Sequence, residues 1–217
     1  MNFEIARFNM IEQQIRPWSV LDTAVLDLMG SVKRELFLPE DLRSLALSDT
    51  ELAIGQGEVM LSPKVQARMI AQLELKATDD VLQIGAGTGF MTCVMAQLAQ
   101  SVLAYEIHPS LAKTATANLT REQISNAKVL AGDATKNTTS DKKFDAIVFC
   151  GSVAAVPEVW LNKLKPEGRL LAIVGEEPIM RASVYTRAAD GSITLLQPWD
   201  TCAPRLQHFA EEPSFVF

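Results

Sequence analysis

Val81-Leu82-Gln83-Ile84-Gly85-Ala86-Gly87-Thr88-Gly89-Phe90 decides how this chain is read. Four residues of strand character run into a loop with glycine at every second position, and a helical run, Met91 to Gln100, follows at once. Glycine in ordered structure costs about 0.5–1 kcal/mol, so three within five residues mark a backbone that must turn tightly or approach something closely. The helix start behind the loop offers unpaired N–H groups. Val102-Leu103-Ala104-Tyr105 is a second strand-like run, and Glu106 ends it. A glycine loop followed by an acid at the tip of the next strand is how an α/β fold holds a ribose-bearing cofactor.

The spacing narrows the cofactor. A dinucleotide fingerprint, G-x-G-x-x-G, would need its third glycine at Phe90, whereas the glycine comes one residue early, at Gly89. This sets a nicotinamide dehydrogenase well behind. G-x-G-x-G resembles motif I of the S-adenosyl-L-methionine-dependent methyltransferases. That resemblance implies a loop running beside the amino acid part of the cofactor and an acid, Glu106, on both ribose hydroxyls. It also implies that Asp133, in Gly132-Asp133-Ala134, meets the adenine amino group. The cofactor set it carries is Gln83, Gly85, Ala86, Gly87, Thr88, Gly89, Glu106, Ile107, Asp133, Ala134 and Cys150.

Outward from the loop, strands and helices alternate. Ser62-Pro63 opens a helix through about Leu75, with serine as N-cap and proline at the first helical position. Beyond Glu106 come a helix from Pro109 to about Gln123, a short strand Lys128 to Ala131, and an apolar strand Phe144 to Phe149. A helix Val156 to Leu164 and a strand Gly168 to Val174 follow. Val184 to Arg187 and Ile193 to Gln197 flank Asp190-Gly191-Ser192, a hairpin turn. The expected fold is a doubly wound, mostly parallel α/β sheet with an antiparallel edge hairpin. Two helical stripes precede it, Phe3 to Ile15, stopped by Pro17, and Asp22 to Arg34. Residues 1–60 therefore read as a helical extension packed on a cofactor-binding domain of residues 61–217, the whole forming one globular unit.

Composition bounds the function. A length of 217 residues with 48% hydrophobic content suits one α/β domain with additions. The net charge of -6 and the lack of a basic run argue against a nucleic-acid phosphate track. Cys93, Cys150 and Cys202 fit no zinc spacing and, being odd in number, no disulfide framework; with His108 and His208 the only histidines, no metal is expected. Glu4 and Arg7 do not suit a signal peptide, and no apolar run approaches the ~20 residues that span a bilayer. The expected setting is soluble and cytoplasmic, without a membrane partner.

Other chemistry-bearing residues read as structural. Asp145 enters its strand at the end away from the ligand side, so it has no catalytic role. Cys150 has no histidine placed beside it by spacing, and buried cysteine is common. His108 reads as a solvated loop residue, and Trp18, Trp160 and Trp199 as core or edge packing. Phe215-Val216-Phe217 suggests a tail laid on a surface or a partner.

The resemblance extends beyond motif I. Arg34-Glu35-Leu36-Phe37-Leu38-Pro39-Glu40, Gly55-Gln56-Gly57-Glu58 leading to Pro63, and Ala67-Arg68-Met69 are similar in type and order to the protein-L-isoaspartate O-methyltransferases. Phe144-Asp145-Ala146-Ile147 and Gly168-Arg169-Leu170-Leu171 continue the likeness, which covers about residues 5 to 197. It implies methyl transfer from S-adenosyl-L-methionine to the side-chain-like carboxylate of isoaspartyl residues, a protein repair reaction with a protein or peptide as partner. A sulfonium methyl is already activated and a carboxylate already nucleophilic, so catalysis is mostly in-line positioning, worth about 7–11 kcal/mol.

The chain departs from the family pattern in the substrate loop. The family's threonine falls on Val59 and its serine on Leu61, where hydroxyls would hold the substrate carboxylate, and Glu58 replaces a glutamine. A lost hydrogen bond to a charged group costs about 1.5–3 kcal/mol. Ser62 is adjacent and could substitute if the loop slipped by one residue. No catalytic residue is assigned beyond these loop candidates, Val59, Leu61 and Ser62. A second reading follows from them: a cofactor-binding relative without isoaspartyl activity, acting on a small-molecule or other acceptor or as a non-catalytic binding protein.

Overall fold

The computed structural model describes residues 2–137 and 141–210. The reading of Phe215-Val216-Phe217 as a surface tail lies outside the described residues. Helices α1 (Phe3–Asn9) and α2 (Thr23–Ser31) begin the chain, capped by the side chains of Asn2 and Asp22, each accepting two amide N–H bonds. A two-stranded hairpin, β1 (Leu52–Gly55) and β2 (Glu58–Met60), precedes α3 (Pro63–Gln72). The main sheet follows: β3 (Asp80–Ile84), α4 (Phe90–Ala96), β4 (Ser101–Glu106), α5 (Pro109–Arg121), β5 (Ala127–Ala131) and β6 (Phe144–Val153). The chain continues through α6 (Glu158–Leu161), β7 (Leu164–Glu176), β8 (Ile179–Arg187) and β9 (Ile193–Asp200).

The seven strands lie in the order β5-β4-β3-β6-β7-β8-β9. Pairing is parallel from β5 to β7 and antiparallel for β7–β8 and β8–β9. The expected doubly wound sheet with an antiparallel edge is therefore what forms. Strand order reverses between β3 and β6, so the loops leaving their carboxyl ends diverge and open a crevice there. One apolar layer joins α2, α3 and α4 to one face of the sheet, and a second, with Phe149, Trp160, Leu164 and Phe209, covers the other.

Several boundaries shift for local reasons. The helix expected to reach Gln100 stops at Ala96 because the amides of Gln100 and Ser101 donate to the Asp79 carbonyl, turning the chain into β4. The helix expected over Val156 to Leu164 contracts to Glu158–Leu161, since Leu164 already pairs with Phe144. β6 runs four residues beyond Phe149, with a register irregularity between Val148 and Ser152 that sets Cys150 beside the crevice. Ser62 occupies the N-cap position of α3 but its side chain makes no capping bond. The β1–β2 hairpin has no counterpart in the sequence pattern.

The N-terminal segment is fastened by specific contacts. Phe37 meets Phe90 edge-on, with centroids 5.5 Å apart. Trp18 packs edge-on to Trp199 of β9 at 6.4 Å, and Arg68 of α3 lies over both rings, 5.8 Å and 4.7 Å away. Lys64 sits 4.0 Å above Trp18. All three tryptophans serve packing, as their sequence context suggests.

Candidate functional site

The crevice at the strand-order reversal is a cleft of about 840 Å³ including its open mouth. Its floor is the glycine loop. Gly85, Gly87 and Gly89 all adopt positive φ (84°, 54° and 90°), which is why side chains are absent from alternate positions. The Gly85 and Ala86 amides donate to the Tyr105 carbonyl at 2.9 and 3.1 Å, locking the loop onto β4. Gly89 has a different duty from its expected one. It does not line the cleft, and a Cβ there would stand 3.2 Å from Ala115 of α5. It lets α4 and α5 pack closely.

Glu106 is buried at the tip of β4. Its Oε2 accepts from the Gly87 amide at 2.7 Å and its Oε1 from the His108 amide at 3.0 Å. Burial raises its pKa, and these two amides and the nearby His108 oppose the rise. No Lys or Arg side chain within the described residues pairs with it. Thr88 Oγ1, also in the cleft wall, is buried with no partner among the described residues. A carboxylate with spare acceptor capacity and an orphaned hydroxyl in one cleft suit a polyhydroxylated ligand with polar groups at both ends.

The other expected residues sort unevenly. Ile107, Asp133, Ala134 and Cys150 line the cleft together with Gln83, Gly85, Ala86, Gly87, Thr88 and Glu106. Gln83 is already occupied: its Oε1 accepts from Thr92 Oγ1 at 2.6 Å and its Nε2 donates to the Gly85 carbonyl at 3.0 Å, so it braces the loop from behind. Asp133 Oδ2 lies 2.7 Å from His208 Nδ1, and Thr135 donates to its other oxygen. Burial pushes its pKa up, but the bonds from Thr135 and His208 outweigh that and hold it at about 2. Burial drives the Cys150 thiol up to about 12, consistent with its having no nucleophilic role. Asp145 lies at the far end of the strand, bound to the Asp80 amide at 2.8 Å and to Lys165 at 2.7 Å, as a structural acid.

Val59 and Leu61 line the mouth, with Glu58 and Met60, but Ser62 does not. Pro63 begins α3 immediately after it, so no slip of the loop brings the Ser62 hydroxyl into the cleft in this structure. His108 is also not the solvated loop residue expected. Its Nε2 lies 3.1 Å from Glu58 Oε1, and Gln207 donates to the same oxygen at 2.8 Å.

Sequence reading missed the roof. The segment from Pro204 to Phe209 crosses the end of β6: Ser152 N–H donates to the Pro204 carbonyl (2.8 Å) and Leu206 N–H to the Ser152 carbonyl (2.9 Å). Arg205, Leu206, Gln207 and Phe209 all face the cleft. A Cβ at Gly151 would fall 2.8 Å from the Pro204 carbonyl, so glycine is what allows this approach. Gly151 was the only local sign of it.

The family model described as Protein-L-isoaspartate(D-aspartate) O-methyltransferase matches residues 6–201. The chain belongs to this family. Among curated relatives, the protein-L-isoaspartate O-methyltransferase of Methanoculleus marisnigri is 36% identical over 169 residues, covering 78% of this chain and 77% of that protein. That of Petrotoga mobilis is 32% identical over 194 residues, covering 89% and 91%. A Plasmodium falciparum chain assigned to the same methyltransferases, crystallised with S-adenosyl-L-homocysteine, superposes with a TM-score of 0.77 at 21% identity, covering 95% of this chain and 99% of that one. At that identity it speaks for the fold. The reading as a relative without transferase activity is not favoured by these matches. Among the described residues no helix is long and apolar enough to cross a membrane, and no group of three or more His, Cys, Asp or Glu side chains could hold a metal ion.

Proposed function

We infer that this protein is an S-adenosyl-L-methionine-dependent methyltransferase that esterifies the side-chain-like carboxylate of isoaspartyl residues in damaged proteins, the first step of their repair. The match of the family model over residues 6–201, which contains the glycine loop, Glu106 and the substrate loop, carries this reading. When bound, the cofactor supplies a methyl group activated by a positive sulfur. The chain's own residues bind and orient. Glu106, whose carboxylate accepts from two backbone amides, is suited to accept from the ribose hydroxyls. Thr88 Oγ1 supplies a polar group that lacks a partner among the described residues. Asp133, kept anionic by Thr135 and His208, and Ala134 line the same cleft and would hold the adenine end. The roof residues Leu206 and Phe209 exclude water, which matters because a methyl sulfonium lost to water is wasted.

The acceptor is a protein or peptide carboxylate entering over Val59 and Leu61. No general base is needed, since that carboxylate is ionised at neutral pH. We read the chain as a single unit, an extension of residues 1–60 on a domain of residues 61–217, working in the cytoplasm, where three unpaired cysteines are at home. Incubation with methyl-labelled cofactor and an isoaspartyl peptide tests the proposal. Base-labile label on the peptide is expected. Tight binding of S-adenosyl-L-homocysteine with no label on any isoaspartyl peptide would end the acceptor assignment.

A further inference from the structure

Arg34 is completely buried, yet among the described residues none of its acceptors is a carboxylate. Its Nε donates to the Ala46 carbonyl and its Nη2 to the Leu61 carbonyl, both at 2.8 Å, and its Nη1 donates to Gln66 Oε1. The neighbouring Glu35 is taken by Arg7 at 2.6 Å. Buried cations are ordinarily paired, because desolvation is otherwise uncompensated. Burial lowers the Arg34 pKa to about 9, which still leaves it charged at neutral pH.

Two of its three partners, Leu61 and Gln66, line the cleft at the substrate loop. Arg34 bears only donors, so the oxygen of the Gln66 amide must face it. That fixes the amide's orientation and directs its NH2 group elsewhere. Gln66 Nε2 donates to no described residue, and Gln66 is itself buried. Gln66 thus lines the cleft with Val59 and Leu61, the two positions that lack hydroxyls, and its amide is polarised from behind by a cation.

We propose that Gln66 Nε2 is the hydrogen-bond donor to the acceptor carboxylate, and that Arg34 is the positioning residue that orients this amide and supplies the buried positive charge that draws the carboxylate in. The pair takes the part that side chains at Val59 and Leu61 cannot play. This rests on the isoaspartyl reading above.

Gln66→Leu removes the donor at nearly constant volume. It should raise KM for an isoaspartyl peptide about tenfold, with kcat within about threefold and the Kd for S-adenosyl-L-homocysteine within about twofold. Gln66→Glu should raise KM further, since an anion then pairs with Arg34 and faces the acceptor. Arg34→Met should raise KM as Gln66→Leu does, and Arg34→Lys should restore part of it. If Arg34→Met fails to fold, the Gln66 variants decide alone. An unchanged KM in Gln66→Leu, or a cofactor affinity that falls in step with KM, overturns the proposal. An unmodified protein that binds S-adenosyl-L-homocysteine but labels no peptide overturns the isoaspartyl reading itself, and this inference goes with it. That outcome is distinct from an active protein indifferent to residue 66.

Discussion

At the amino ends of the central strands, Asp79, Asp80 and Asp145 face two cations: Lys165 lies 3.2 Å from Asp80 and 2.7 Å from Asp145, and Arg169 lies 2.7 Å from Asp79. At the carboxyl ends, Glu106 is more deeply buried than Asp80 or Asp145 and, among the described residues, receives two amide N–H groups. Both ends hold acids, but the amino end satisfies its acids internally, whereas Glu106 leaves acceptor capacity facing a cleft. Lys165 and Arg169 take up the acids at the amino ends, whereas Glu106, hydrogen-bonded to backbone amides, keeps lone pairs for incoming hydroxyls.

The sharpest way to break this contrast is to remove an acid or its partner at each end in turn. Glu106→Ala should weaken S-adenosyl-L-homocysteine about 100-fold or more by calorimetry, since two charge-assisted bonds worth about 1.5–3 kcal/mol each are lost. A change below threefold would contradict the assignment of Glu106. Arg169→Met should do the reverse. It takes the cation from Asp79, which retains the Lys76 amide, and frees several carbonyls in a largely buried network, costing about 3 kcal/mol in denaturant unfolding, with cofactor affinity in the folded protein unchanged.

A pH series sharpens the comparison by a smaller effect. The Glu106 pKa is raised by burial, so its charged form costs stability that is relieved as pH falls through the raised value. Over the same range, from somewhat above the usual glutamate value downward, cofactor affinity should fall severalfold as the acceptor is lost. Asp133 has the opposite sign. Its folded pKa is about 2 against an ordinary 3.8, so its contribution is fully present above about pH 4 and disappears toward pH 2. Affinity that falls only below pH 3 would assign the effect to Asp133 rather than Glu106.

What could be read from the sequence depended on how local the determinants are. The glycine loop, Glu106 and the alternating strands lie within short windows, and their chemistry depends on spacing along the chain. The β1–β2 hairpin left a local sign, Gly55-Gln56-Gly57 with all three residues at positive φ, but strands of four and three residues are too short to show alternation. The roof and the Arg34–Gln66 pair left almost none. The Gln207–Glu58 and His208–Asp133 contacts join residues 149 and 75 positions apart, and Arg34 reaches 32 positions to Gln66. Pairings at such separations are set by how elements dock. A resemblance could point to the loop at Val59 and Leu61 as divergent, but only the fold brings a different donor beside it.

The three tryptophans are distributed usefully. Trp18 and Trp199 share one aromatic cluster where the N-terminal segment meets the edge hairpin. Trp160 lies 5.5 Å from Phe149 and 6.1 Å from Phe209, the last aromatic of the roof. The unlabelled protein thus carries two separate optical reporters. Substituting Trp160 leaves intrinsic fluorescence reporting on the docked N-terminal segment, while substituting Trp18 and Trp199 leaves an emission that follows the covering of the cleft.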